Sequence, residues 1–259
     1  MLHAILALKG FEIAATDGSV GSIEDAYFDD HRWTIRYFVV NTGGWLGGRR
    51  VLISPHAVHE VEPGQQQVRV ALTRERVEKS PPIETDRPVS RQQETEYAQY
   101  YGYPAYWTAP VLLGAELGLI APPLGAGPAR RGAGGRGDPH LRSCAEVTGY
   151  AVAASDGEIG HVDDFLFDDE TWAIRYLVLA TRNWWPGKRV LVSPEWFDRI
   201  DWAERTAFAA LSRAAIEASP EYDPAHLPGR DYEEALHRHY GKPSYWSVRD
   251  EPVTPLSGE

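Results

Sequence analysis

Residues 28–37 read Phe-Asp-Asp-His-Arg-Trp-Thr-Ile-Arg-Tyr, and residues 167–176 read Phe-Asp-Asp-Glu-Thr-Trp-Ala-Ile-Arg-Tyr. Each stretch places an acidic turn before a segment in which apolar and polar side chains alternate, which is typical of a β-hairpin with one buried face. The offset of 139 residues between the two stretches holds without a gap from one end of the repeat to the other. Roughly a third of the aligned positions are identical, so the chain contains an internal duplication.

Strand and turn signals continue on both sides of this hairpin. Asp17-Gly18 and Asp156-Gly157 are strong turn signals because glycine tolerates positive φ. In the strand predicted over 33–42, Trp33, Ile35, Tyr37 and Val39 share one face. The other face becomes apolar toward its end, as expected in a small closed barrel whose outside is partly covered. A short strand over 50–54 and a hairpin around Pro63-Gly64 complete the predicted β unit.

The last third of each copy changes to helical periodicity. Thr73 and Ser212 are predicted to cap a short helix, and Ser90 to cap a second helix that ends in a Tyr-Trp pair. We expect the aromatic side chains of this extension to pack back on the β unit. The predicted organisation is a first repeat at 1–107, a flexible Gly/Pro/Ala-rich linker at 108–139, a second repeat at 140–246 and a disordered tail at 247–259.

Composition restricts the class of protein. The net charge is −11, which disfavours nucleic acid and anionic lipid as partners. Cys144 is the single cysteine, so an internal disulfide is impossible and a reducing cytoplasm is expected. The first residues lack the basic start and apolar run of a signal peptide, and no stretch is apolar enough for a spanning helix.

Three motifs together resemble the PRC-barrel domain family. They are Asp-Gly-x-x-Gly-x-x-x-Asp at 17–25 and 156–164, the hairpin quoted above, and Arg-Val-Leu-x-Ser-Pro at 50–55 and 189–194. The resemblance covers both copies, including the Tyr-Trp extension, and looks like the stand-alone tandem members. It implies a mainly β fold of two small barrels, with roughly six strands each, in agreement with the turn-marked strand count.

The family resemblance implies a module for binding rather than catalysis. The domain is named for the cytoplasmic part of the photosynthetic reaction centre H subunit, which suggests docking on membrane electron-transfer complexes, at the inner membrane. An RNA-processing role is the alternative, by resemblance to a ribosome maturation factor, although the acidic charge speaks against it. A small-ligand or metal-binding stress protein is the third hypothesis. We expect protein partners, with self-association as a further option, and no cofactor.

The polar groups favour structural roles. Asp29-Asp30 and Asp168-Asp169 are expected to start the turn and cap its amides, because the other ligands of a calcium loop are absent. Asp25 with Arg36, and Asp164 with Arg175, are expected to form cross-strand ion pairs. The histidines at 56, 59, 237 and 239 do not recur between copies and complete no four-ligand set. We therefore predict no catalytic residues and no metal site.

The candidate interaction surface is a loop that carries a tryptophan in both copies. Large aromatic side chains in Gly-rich loops pack on the barrel end or meet a partner. Flanking basic residues are suited to an anionic group on that partner. The predicted recognition residues are Trp45, Leu46 and Arg49 in the first copy, and Trp184, Trp185 and Lys188 in the second.

Overall fold

A computed structural model describes residues 1–81, 89, 91–105, 107, 140–181 and 188–247. In chain order the strands and helices are β1 Leu2–Ala4, α1 Ile5–Leu8, β2 Glu12–Ala15, β3 Gly18–Asp29, β4 Thr34–Asn41, β5 Arg50–Ile53, β6 Val58–Glu62, β7 Gln67–Val70, α2 Arg74–Glu78, α3 Arg91–Tyr101, β8 Leu141–Ser143, α4 Cys144–Val147, β9 Ala151–Ala154, β10 Gly157–Asp168, β11 Ile174–Thr181, β12 Arg189–Val192, β13 Phe197–Asp201, β14 Thr206–Ala209, α5 Arg213–Glu217 and α6 Arg230–Tyr240.

The strands form two sheets with the same order. One runs β5-β4-β3-β2-β7-β6 and the other β12-β11-β10-β9-β14-β13, each with one more strand on its longest member. Both sheets are mixed, because β2 pairs in parallel with β7, and β9 with β14. The predicted mainly β class with short helical extensions is confirmed. The predicted closure into a barrel is not made by hydrogen bonds among the described residues.

The turn and strand predictions are confirmed by the local geometry. Gly18 and Gly157 follow the turn Asp with φ of 136° and 141°, which a side chain would disfavour. The second glycine of the motif permits close strand approach, because a Cβ at Gly160 would overlap the carbonyl oxygen of Ala180. Ile35, Tyr37 and Val39 of β4 are buried, as expected for the core face. Phe38 and Val40 on the other face are buried as well.

The helical segments begin as predicted. The Thr73 hydroxyl accepts a hydrogen bond from Arg76 N at 3.3 Å, and Ser212 accepts one from Ala215 N at 3.2 Å. Tyr97 of α3 is 2% exposed, and its hydroxyl donates to Leu52 O at 2.7 Å. The aromatic face of α3 therefore packs back on its sheet. Ser90, the predicted cap of α3, lies outside the described residues.

The chain divides into two compact units that each combine parts of both repeats. The N-terminal unit consists of Lys9–His31 and Arg36–Arg142, and the C-terminal unit of Met1–Leu8, Arg32–Ile35 and Ser143–Glu259. The first strand of each repeat pairs in the sheet of the other repeat, an arrangement called strand exchange below. β1 pairs with the end of β10, with Leu2 opposite Asp168, and β8 pairs with β3.

The repeat boundaries at 107 and 140 stay predictions, since folding of an isolated repeat is a separate property. Residues 108–139, predicted as a flexible linker, and 248–259, the end of the predicted tail, lie outside the described residues.

Candidate functional site

The predicted recognition loop of the first copy is a tight turn rather than an extended loop. Residues Gly43–Leu46 form a 3₁₀ helix, which Gly47 ends in a left-handed conformation with φ of 66°. The Asn41 side chain accepts a hydrogen bond from Gly43 N at 2.8 Å and fixes the start of the turn. The glycines thus hold a defined backbone on which Trp45 and Leu46 are presented.

Trp45 and Leu46 are both half-buried and lie outside the hydrophobic core. The guanidinium carbon of Arg74 lies 4.4 Å from the centroid of the Trp45 ring. Arg74 itself lies across Gly18, since a Cβ there would be 3.3 Å from Arg74 Cδ. Trp45 is thus positioned by a cation–π contact at the surface of the N-terminal unit.

Arg49 and Lys188 occupy equivalent positions and make equivalent contacts. Arg49 Nη2 donates to Ser80 O at 2.9 Å, and Lys188 Nζ donates to Ser219 O at 2.9 Å. Both cations therefore satisfy carbonyl groups just beyond a short helix, α2 in one unit and α5 in the other. Their contribution to a recognition surface stays a prediction. Trp184 and Trp185 lie outside the described residues.

The first aspartate of each hairpin tip performs the predicted turn role. Asp29 Oδ1 accepts from His31 N at 2.9 Å, and Asp168 Oδ1 accepts from Glu170 N at 2.9 Å. The same carboxylates bind the strand arginines, with Arg36 3.1 Å from Asp29 Oδ2 and Arg175 2.9 Å from Asp168 Oδ2.

Asp164 does not form the ion pair that the sequence suggested for it. The carboxylate instead accepts hydrogen bonds from Leu6 N at 3.0 Å and from Phe165 N at 2.7 Å. This difference arises because β10 shifts register between Val162 and Asp164, which alters the side-chain alternation along the strand. Burial raises the pKa of Asp164 to about 6, against these two hydrogen bonds.

The second aspartate of each tip binds the strand that the other repeat contributes. Arg142 Nε donates to Asp30 Oδ2 at 2.9 Å in the N-terminal unit. In the C-terminal unit, His3 Nε2 lies 2.8 Å from Asp169 Oδ2, and the Met1 amino group donates to Asp169 Oδ1. Burial opposes ionisation of Asp169, but the hydrogen bonds from Met1 and His3 hold its pKa below the usual value. A carboxylate at the tip thus fixes the exchanged strand in both units.

Asp30 also belongs to a cluster of residues that could hold a metal ion. His31 Nε2 lies 3.8 Å from Asp30 Oδ1, and His140 Nδ1 lies 3.3 Å from the same oxygen. In the part of the chain that the structure describes, this is the one group of three His, Cys, Asp or Glu side chains with such spacing. Sequence reasoning missed it because strand exchange, rather than a motif, brings His140 to the tip.

A buried polar network holds α6 against the sheet of the C-terminal unit. Glu233 Oε1 accepts hydrogen bonds from Tyr176 at 3.0 Å and from Tyr245 at 2.9 Å. The Tyr176 hydroxyl is also 2.9 Å from His237 Nε2. Burial raises the pKa of Tyr176 and lowers that of His237.

The carboxylate of Glu233 and the two tyrosine hydroxyls satisfy one another, which favours a structural role, while His237 Nδ1 has no hydrogen-bond partner among the described residues. His237, considered as a metal ligand in the sequence, is a buried packing histidine. The signal for this network was a glutamate shared by both copies at a helix position, Glu94 and Glu233, which are 0% and 3% exposed. Such a shared acid on the buried side of a helix was visible in the sequence but was not singled out.

The architecture defines a class: a mainly β protein built from two similar mixed sheets with short helical extensions. The profile of the PRC-barrel domain family matches residues 4–77, so this part of the chain is a PRC-barrel domain. The second sheet repeats its strand order, which indicates a tandem arrangement. No curated protein matches the chain. None of the described helices is long and apolar enough to cross a membrane.

Proposed function

We propose that this protein is a non-enzymatic adaptor that binds a partner protein through the Trp45 loop of its PRC-barrel domain. The observation that carries this proposal is the position of Trp45, which is half-buried on a 3₁₀ turn outside the core. The sequence places Trp184 and Trp185 at the matching loop of the second copy. An adaptor with a tryptophan-containing recognition segment in each copy can engage two sites on one complex.

Two properties favour recognition over packing as the role of Trp45. The N-terminal unit has a core of fully buried side chains, such as Phe28, Phe38 and Ile53, of which Trp45 is not a member. The contact with Arg74 also restrains the indole before any partner arrives, which lowers the entropy lost on binding. Aromatic anchors of this kind contribute on the order of 2 kcal/mol or more to an interface.

The proposed partner is a protein subunit of a membrane electron-transfer complex, with the adaptor docked at the cytoplasmic side of the inner membrane. The family resemblance supports this choice, and the net charge of −11 disfavours RNA as the partner. A role without catalysis is supported by the family resemblance, which implies a module for binding.

Trp45→Ala tests the proposal, with Leu227→Ala as the matched control because Leu227 is an apolar side chain 42% exposed in the other unit. The intact chain and both variants serve as bait in the source cells, and captured proteins are quantified together with melting temperatures. We expect Trp45→Ala alone to lose a specific membrane-complex subunit while its melting temperature stays near that of the parent. If Trp45→Ala melts much earlier and captures the same proteins, Trp45 is a packing residue and the proposal fails.

A further inference from the structure

The cluster at the first hairpin tip has an unsatisfied acceptor at its centre. The Asp30 side chain is 5% exposed, and its Oδ1 atom has no hydrogen-bond partner among the described residues. The other oxygen of the same carboxylate is bound by Arg142 at 2.9 Å. The polar atoms facing this oxygen are the imidazole nitrogens of His140 and His31, at 3.3 and 3.8 Å. A buried carboxylate oxygen without a hydrogen bond is costly, and a cation held between the carboxylate and these imidazoles would offset that cost.

The distances around Asp30 Oδ1 approach those between ligands of one small ion. With bonds of about 2.0–2.2 Å, the ligand atoms of a tetrahedral zinc site are separated by roughly 3.3–3.6 Å. Asp30 Oδ1 is 3.3 Å from His140 Nδ1 and 3.8 Å from His31 Nε2. The ligand atoms of all three residues lie within 4.8 Å of one another. Side-chain rotation that draws these atoms together, by roughly 1 Å at the longest separation, would bring them to tetrahedral spacing.

The surroundings orient these ligands. Asp30 N donates to His140 O at 2.8 Å, which fixes the backbone of one ligand against that of another. Arg142 holds the second carboxylate oxygen, as outer-shell partners of metal ligands commonly do. His31 and His140 are 63% and 46% exposed, so an ion and a completing water can enter from solvent.

The equivalent cluster in the second copy provides an internal comparison. Both oxygens of Asp169 are hydrogen-bonded, one by the Met1 amino group and one by His3. The residue that corresponds to His31 there is Glu170. The second tip is therefore satisfied without an ion, whereas the first combines an unsatisfied oxygen with two imidazoles.

We propose that Asp30, His31 and His140 bind a divalent transition-metal ion of the Zn²⁺ type, with water as the fourth ligand. Two imidazoles and one carboxylate suit zinc better than calcium or magnesium, which prefer all-oxygen sites. Because His140 directly precedes β8, the ion would link the hairpin tip to the exchanged strand. Metal binding would thus stabilise the pairing of β8 with β3 and resist opening of the N-terminal unit.

Titration of the metal-free full-length chain with Zn²⁺ tests the site, by calorimetry and by the visible spectrum of Co²⁺ as a substitute. The test variants are His31→Gln and His140→Gln. His226→Gln is the matched control, because His226 forms an exposed pair with Asp223 at 2.8 Å that has no third ligand within the described residues. Melting temperatures without metal show whether each variant is folded.

We expect one high-affinity ion per chain, and each test variant to weaken binding by at least the ~10–100-fold typical of a lost outer-shell partner. The Zn²⁺-dependent rise in melting temperature should disappear in the two test variants and persist in His226→Gln. Failure of the parent chain to bind Zn²⁺ would overturn the proposal. Parent-like affinity in both His31→Gln and His140→Gln would overturn it as well, and would leave the histidines as charge partners of Asp30. Either result leaves the Trp45 proposal unaffected.

Discussion

Exchange of the first strand between the repeats predicts that a substitution in one repeat destabilises the sheet of the other. Leu2 in β1 and Leu141 in β8 are equivalent positions, and each is 7% exposed. Leu2 pairs opposite Asp168 in the C-terminal unit, and Leu141 belongs to the N-terminal unit. Leu2→Ala and Leu141→Ala therefore form a reciprocal pair of perturbations with matched burial.

The magnitude follows from the size of the side chain removed. A buried Leu→Ala substitution costs about 2–5 kcal/mol, and we take about 2–3 kcal/mol because both leucines lie in short three-residue strands. Because about 1.4 kcal/mol corresponds to a tenfold change in an equilibrium constant, this loss raises the equilibrium constant for local opening by roughly 30–150-fold. Opening of part of a structure exposes its amides without global unfolding, so the effect should be confined to one unit.

Native-state hydrogen exchange of the full chain, read by mass spectrometry, resolves the two sheets. Leu2→Ala should accelerate exchange in β10 and leave β3 near the parent rate. Leu141→Ala should accelerate exchange in β3 and leave β10 near the parent rate. If each substitution instead accelerates exchange in its own repeat, β1 and β8 fold back in solution and the exchanged pairing is refuted.

Three further outcomes follow from the same geometry. Residues 1–107 expressed alone lose the partner of β1 and one of the three partners of β3, so we expect a folded fragment that dimerises by exchanging β1, seen by light scattering. An unfolded amide NMR spectrum would show that a repeat cannot fold alone. Gly160→Ala should lower the free energy of unfolding by roughly 1–3 kcal/mol or more in denaturant titrations, because its Cβ would overlap Ala180 O. Gly229→Ala is the control, because a Cβ there has open space around it. Equal stability of the two variants would contradict the close approach of the strands at Gly160. Burial raises the pKa of Asp164 from 3.8 to about 6, so between these pH values the native state binds more protons than the unfolded state. The free energy of unfolding should therefore fall as pH rises through this window, by at most about 3 kcal/mol. Asp164→Asn keeps an acceptor for Leu6 N and should reduce the difference in unfolding free energy between pH 4.5 and pH 7.5, measured by denaturant titration. An unchanged difference would exclude Asp164 as the cause of the pH dependence.

Local features were predictable from the sequence because they depend on neighbouring residues. The turns at Asp17 and Asp156, the caps at Thr73 and Ser212, and the buried face of β4 all follow from short-range spacing. Strand exchange was not predictable, because β1 and β8 begin equivalent copies of one unit. A strand that fits its own repeat also fits the other, so composition and periodicity cannot distinguish the two pairings.

The candidate sites likewise contain some roles that depend on neighbouring residues and others that depend on strand exchange. The turn role of Asp29 and Asp168 followed from their position in the chain, whereas the roles of Asp30 and Asp169 depend on which strand reaches them. Trp33 and Trp172 at the end of the tip adopt a left-handed backbone, with φ of 50° and 62°. No residue-level propensity favours tryptophan in that conformation, so the tip geometry could not be derived from the sequence.

Strand exchange has a consequence for how the two copies diverged. It places residues from the start of one repeat beside the hairpin tip of the other, so each tip cluster combines positions from both copies. Substitutions at the strand start therefore alter the tip of the other repeat. The first tip thus joins Asp30 and His31 to His140, while the second joins Asp169 to Met1 and His3. One duplicated scaffold can in this way hold two chemically different clusters, which differ both at the tip, where His31 corresponds to Glu170, and at the strand start, where His140 corresponds to Met1.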